Sequence, residues 1–138
     1  MSTVKAEVLL STCNDDRYPA SNIVDGKPST FFVSTGCFPQ EIILGVKAGR
    51  AAISRIVLVS SGVRKLRVEK CVDETPQNFE TIVECELQAK EPGEKQQEQF
   101  QLNRSTAGNN VRYVKLVVLS GYDEFVGIYD FSLEGQEL

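Results

Sequence analysis

Residues 111–119 read Val111-Arg112-Tyr113-Val114-Lys115-Leu116-Val117-Val118-Leu119. The run is rich in β-branched residues and has the two-residue alternation of a strand. Val114, Leu116 and Val118 fall on one face. Tyr113, Val117 and Leu119 fall on the other, interrupted by Lys115. A strand that is apolar on both faces is covered on both sides, by its own domain or by a partner. Turn residues bound it, Gly108-Asn109-Asn110 before and Ser120-Gly121 after. The stretch is a central strand of a sheet.

The same signature spreads outward. Residues 53–60 form a second central strand, with Ile56 and Leu58 on one face and Val57 and Val59 on the other. Residues 4–11, 31–34, 41–46, 65–71, 79–87, 97–102 and 126–133 are further short runs of β-branched and aromatic residues. Asp25-Gly26, Gly49, Ser61-Gly62, Thr75-Pro76 and Pro92-Gly93 separate them. Residues 65–70 alternate cleanly. Leu66 and Val68 face inward, and Lys65, Arg67 and Glu69 face solvent, on a sheet other than that of residues 111–119. The polar segment 88–99, with a central Pro-Gly, reads as a solvated hairpin connection and not as an acidic interaction tail. Strands recurring about every dozen residues with no helical pattern between them predict an all-β sandwich or barrel. Residues 1–138 are expected to form one domain.

Composition narrows the function. The chain has 138 residues, 41% hydrophobic and 25% charged, which is the ordinary globular range and enough for a core without staples. A net charge of -4 supplies no positive field for nucleic-acid phosphates. No stretch approaches the roughly 20 apolar residues of a membrane helix, and no leader pattern opens the chain, so a soluble, unexported protein is expected. Cys13, Cys37, Cys71 and Cys85 have irregular spacing and no Cys-x-x-Cys pair. They read as reduced structural thiols.

Histidine is absent, which removes the commonest general base and any Ser-His or Cys-His nucleophile. The glycines sit at turns, and no phosphate-binding loop occurs. The expectation is a binding protein, not an enzyme. One stretch carries oxygen ligands: Asn22-Ile23-Val24-Asp25-Gly26-Lys27-Pro28-Ser29-Thr30. Asp25 offers a carboxylate, Thr30 a hydroxyl and a carbonyl, and Asn22 and Lys27 main-chain carbonyls. Such a loop could partly enclose calcium, which takes six to eight oxygen ligands. Its spacing is not that of an EF-hand. On its own, Asp-Gly is also an ordinary hairpin turn.

The pattern Asn22-x-x-Asp25-Gly26-x-x-x-Thr30-Phe31-Phe32 resembles the first signature of galactose-binding-like, or discoidin-type, β-sandwiches. The run from Val111 to Val117 is similar to their Arg-Tyr-Val-Arg-aliphatic strand. Ile128-Tyr129-Asp130-Phe131-Ser132-Leu133-Glu134-Gly135 is similar to their glycine-ended closing strand. The three matches keep the family's order from one end of the chain to the other. The resemblance implies an antiparallel jelly-roll sandwich of about eight strands. It also implies a structural calcium ion where the loop meets the last strand. The ligands would be Asn22, Asp25, Lys27, Thr30, the Tyr129 carbonyl and the Asp130 carboxylate. At the Lys27 position, where relatives more often carry Asn or Asp, only a carbonyl can serve and the ammonium must point away.

A narrower likeness lies in Thr35-Gly36-Cys37-Phe38-Pro39-Gln40-Glu41, which resembles a small ciliary branch of this fold. That likeness implies a cytoplasmic and ciliary subunit of an intraflagellar transport assembly, paired with a Rab-like small GTPase. The other reading is a free-standing carbohydrate-binding module. Relatives that bind sugars use long loops with aromatic, His or Arg groups, whereas this chain has neither Trp nor His.

Overall fold

The computed structural model describes residues 2–12, 19–25, 31–34, 38–89, 91, 94–103, 105–122 and 125–138. Within them lie ten strands: β1 (Ser2–Val4), β2 (Ala6–Ser11), β3 (Phe32–Ser34), β4 (Gln40–Val46), β5 (Ala51–Ser61), β6 (Val63–Cys71), β7 (Glu80–Glu86), β8 (Gln96–Gln101), β9 (Tyr113–Gly121) and β10 (Val126–Glu137). A short 3-10 helix, Ala20–Val24, precedes β3. The strands make two antiparallel sheets. The first runs β1-β10-β5-β8, with β3 also pairing β10, and the second runs β2-β4-β9-β6-β7. This is the expected all-β sandwich.

Nine expected runs become ten strands because one of them is two. Residues 4–11 switch sheets at Lys5: β1 pairs β10, whereas β2 pairs β4. Such a switch makes the corner between layers, and the alternating pattern does not reveal it because both halves turn one apolar face inward.

The inner faces supply one core. Phe32, Ile56, Leu58, Phe131 and Leu133 of the first sheet bury their side chains, as do Leu44, Leu66, Val68 and Leu116 of the second. Each fully buried aliphatic or aromatic side chain contributes roughly 1.5–3 kcal/mol relative to exposure. The central strands behave as their sequences imply. β5 is hydrogen-bonded to β10 and β8, and β9 to β4 and β6. On the outer face of β9, Val117 is only 1% exposed, with Glu41 and Arg67 as its cross-strand neighbours.

Two expectations are corrected. Arg67 and Glu69 do not lie on a different sheet from residues 111–119: β6 and β9 are neighbours, in register Arg67↔Val117 and Glu69↔Lys115. Glu69 joins them through Arg67 Nε at 2.5 Å and Lys115 Nζ at 3.7 Å. The segment after β7 is also not a hairpin. β7 pairs β6 in the second sheet and β8 pairs β5 in the first, so the chain crosses between the layers. Polar turn residues mark a reversal but do not say which edge the next strand joins.

Gly135 shows why the closing strand ends in glycine. A Cβ there would stand 2.0 Å from the Ala52 carbonyl oxygen, at a bulge where β10 shifts register against β5.

Candidate metal centre

The geometry centres on an interruption along one edge of β10. β1 covers residues 133–135 of that edge and β3 covers 126–128. Residues 129–132 have no strand neighbour there among the described residues, and the 3-10 helix packs against β10. A β-bulge falls at the same place: Ile128 pairs Ser60 and Asp130 pairs Val59, leaving Tyr129 as the extra residue. Bulges disrupt the ladder and re-aim side chains. A stretch of strand without a ladder partner leaves backbone groups available to a ligand.

Asn22 lies within the 3-10 helix and Asp25 caps its C-terminal end. The Asn22 amide Nδ2 donates to the Phe31 carbonyl at 3.0 Å. That bond ties together the two ends of the Asn22–Phe31 loop. Asp130 is half-buried and accepts a 2.6 Å hydrogen bond from the Ser132 hydroxyl. Its pKa is raised above the ordinary 3.8, first by burial and then by the negative charges of Asp25 and Glu134, while the Ser132 bond pulls the other way. Asp25 and Asp130 are therefore close enough to feel each other's charge. A cleft of about 420 Å³ adjoins Asp130, bounded also by Val4, Lys5, Val24 and Lys47.

Tyr129 turns its ring over Gly127, where an added Cβ would come within 3.4 Å of it. Phe31 lies against that ring at 5.2 Å and Lys95 Nζ sits 4.4 Å from its centre. Tyr129 is thus the bulge residue within the stretch that neither β1 nor β3 pairs.

The structure thus brings Asn22, Asp25, Tyr129 and Asp130 to one junction. Lys27 and Thr30 lie outside the described residues, as do Cys13 and Cys37. The donor set fits a hard cation: two mutually repelling carboxylates beside an open strand edge are what a divalent ion relieves. Bound there, calcium would neutralise the carboxylate pair and tie the helix to β10. Among the described residues no three Cys, Asp or Glu side chains gather around a common point, so the carboxylate pair needs carbonyl oxygens to complete a shell. Sequence reasoning missed Ser132, which shares a strand face with Asp130 two residues away, and the Phe31–Lys95 support of Tyr129. The i, i+2 spacing from Asp130 could have signalled Ser132, and no sequence pattern signals the Phe31–Lys95 contact.

No family model matches the chain. Against curated proteins it is 38% identical over 128 residues to intraflagellar transport protein 25 of Chlamydomonas reinhardtii, covering 93% of this chain and 64% of that protein. It is 34% identical over 135 residues to the homolog of Homo sapiens, covering 98% of this chain and 90% of that one. The chain belongs to the intraflagellar transport protein 25 family. It spans somewhat under two thirds of the Chlamydomonas member of the family and most of the human one.

Solved structures agree on the architecture of this family member. A family 32 carbohydrate-binding module of Clostridium perfringens NanJ, in complex with galactose, superposes with a TM-score of 0.76 at 12% identity, over 96% of this chain and 97% of that one. Reduced XRCC1 bound to the DNA pol beta catalytic domain gives 0.81 at 14% identity, over 97% and 99%. At such identities the likeness is one of fold, which hosts many unrelated functions. Among the described residues no helix is long and apolar enough to cross a membrane.

Proposed function

We propose that this chain is a non-catalytic subunit of the intraflagellar transport complex, that it pairs with a Rab-like small GTPase, and that a calcium ion braces its fold at the Asp25–Asp130 junction. The observation that carries the reading is kinship with the human homolog across nearly the whole chain. Apolar surface supports it. A bulge in β2 leaves Leu9 and Leu10 about half exposed on a sheet edge, and Tyr122 and Phe125 are exposed around the β9–β10 turn. A lasting heterodimer needs such surface, because interfaces of about 1,600 Å² have dry apolar centres.

The test is affinity purification of the tagged chain from ciliated cells followed by mass spectrometry. Recovery of a Rab-like GTPase with other transport subunits is the expected result. Recovery of none of them, together with retention of the chain on a galactose column, would favour the carbohydrate-module reading.

A further inference from the structure

On one side of the sandwich both sheets end together. β7 ends the second sheet and β8 ends the first, and among the described residues neither has a second strand neighbour. Between them runs a groove of about 520 Å³, bounded by Cys85, Glu86 and Leu87 on one wall and Glu94, Lys95, Glu98 and Phe100 on the other, with the Lys95 ammonium drawn over the Tyr129 ring. β8 pairs β5 without a register break from Gln96↔Ser60 to Gln101↔Arg55. It contains no proline, so its free edge is regular and capable of pairing.

Charge says what fits there. Residues 80–101 hold six of the chain's 19 acidic residues and two of its 15 basic ones, a net -4. That equals the net charge of the whole chain, so the remaining residues sum to zero. On β8, Gln97, Gln99 and Gln101 are exposed, while Glu98 takes the groove side between Gln96 and Phe100. Its charge reaches Cys85 on the facing strand, where burial and then Glu98 raise the thiol's pKa. Of the groove acids, Glu86 is paired with Arg64 at 2.9 Å, Glu94 accepts from the Glu91 amide at 3.3 Å, and among the described residues Glu98 accepts a 3.4 Å bond from Gln96.

We propose that the groove between β7 and β8 docks an extended segment of a partner protein bearing lysine or arginine at alternate positions, which adds to β8 as a further strand. Strand addition supplies main-chain hydrogen bonds along the edge, and alternate side chains reach one face. Here that face presents Glu98 and Glu94 to the incoming cations and Phe100 and Leu87 to the stems of their side chains. A second copy of this chain is disfavoured as occupant, since it would bring the same acidic edge against itself. The same charges that guard the edge against self-association thereby admit a basic strand. This reading does not depend on which face meets the GTPase.

The test uses the full chain and a short fluorescent peptide of alternating lysine and threonine, read by anisotropy and by amide shifts. The expected result is saturable binding whose shifts centre on residues 96–101. Affinity should fall about tenfold in Glu98→Lys, a change of about 1.4 kcal/mol, and should fall steeply with salt. Glu98→Gln, which keeps the side chain's shape, should show a smaller loss and serves if the lysine variant does not fold. The same peptide with alternate amides N-methylated should not bind, because it cannot complete the ladder. Absence of binding, shifts centred elsewhere, or equal affinity for the N-methylated peptide overturns the proposal.

Discussion

Asp130 sits half-buried beside a second carboxylate, Asp25, and accepts a hydrogen bond from the Ser132 hydroxyl. Calcium bound only by the folded state adds stability by mass action, about 2.7 kcal/mol at a hundredfold excess over its dissociation constant. Calcium should therefore raise the melting temperature and Asp25→Ala should abolish the rise. A melting curve unmoved by chelator would make the loop a plain turn. In chelator, pH provides a separate handle. An acid whose folded pKa is raised binds its proton more tightly in the folded state. Its stabilising contribution is full below the ordinary 3.8 and is lost as pH rises through the raised folded value. Wild type should lose stability across that window, and Asp130→Asn should not. Melting temperatures in chelator from acid to neutral pH check this, and parallel curves for the two proteins would contradict it. Asn22 and Asp25 were legible because loop oxygens near an Asp-Gly declare themselves in sequence. The interruption of β10 was not, since it depends on where β1 and β3 stop, which no residue of β10 encodes.

Within β5 the two faces have different fates. Leu58 is fully buried in the core, whereas Val57 is only half-buried on the outer face. Leu58→Ala should cost about 2–5 kcal/mol by leaving a cavity. Val57→Ala should cost about 1 kcal/mol or less, as partly exposed sites do. Equal losses by urea denaturation would mean that the outer face is also packed. Gly135→Ala tests β10: with the Ala52 carbonyl in the way, it should destabilise by about 1–3 kcal/mol despite being a one-carbon change. The strands themselves were readable, because alternation and turn chemistry are local. Their partners were less so. Residues 65–70 alternate identically whichever sheet holds them, and residues 88–99 look the same as a hairpin or as a crossover. The split at Lys5 was hidden because both halves of that run keep an apolar inner face. The 3-10 helix over Ala20–Val24 was also missed, being too short for any periodicity to register.

Taken whole, the molecule is a two-layer sandwich whose net charge lies along one side, leaving the remaining surface balanced. Its four cysteines offer a check on compartment. Cys71 and Cys85 are free thiols, the first buried and donating to the Thr75 carbonyl at 3.4 Å. Alkylation under denaturing, non-reducing conditions should block all four cysteines, and a mass short by two alkyl groups would reveal a disulfide. A class of partner was suggested only through resemblance, because exposed apolar residues such as Leu10 and Phe125 say that a surface is unfinished and not what completes it. The proposed heterodimer is open to gel filtration after co-expression with a Rab-like small GTPase. The chain alone should run as a folded monomer. Together the two should co-elute in equal amounts even in high salt, since an apolar centre is not screened. Separate elution at micromolar concentration, with both proteins folded, would contradict it.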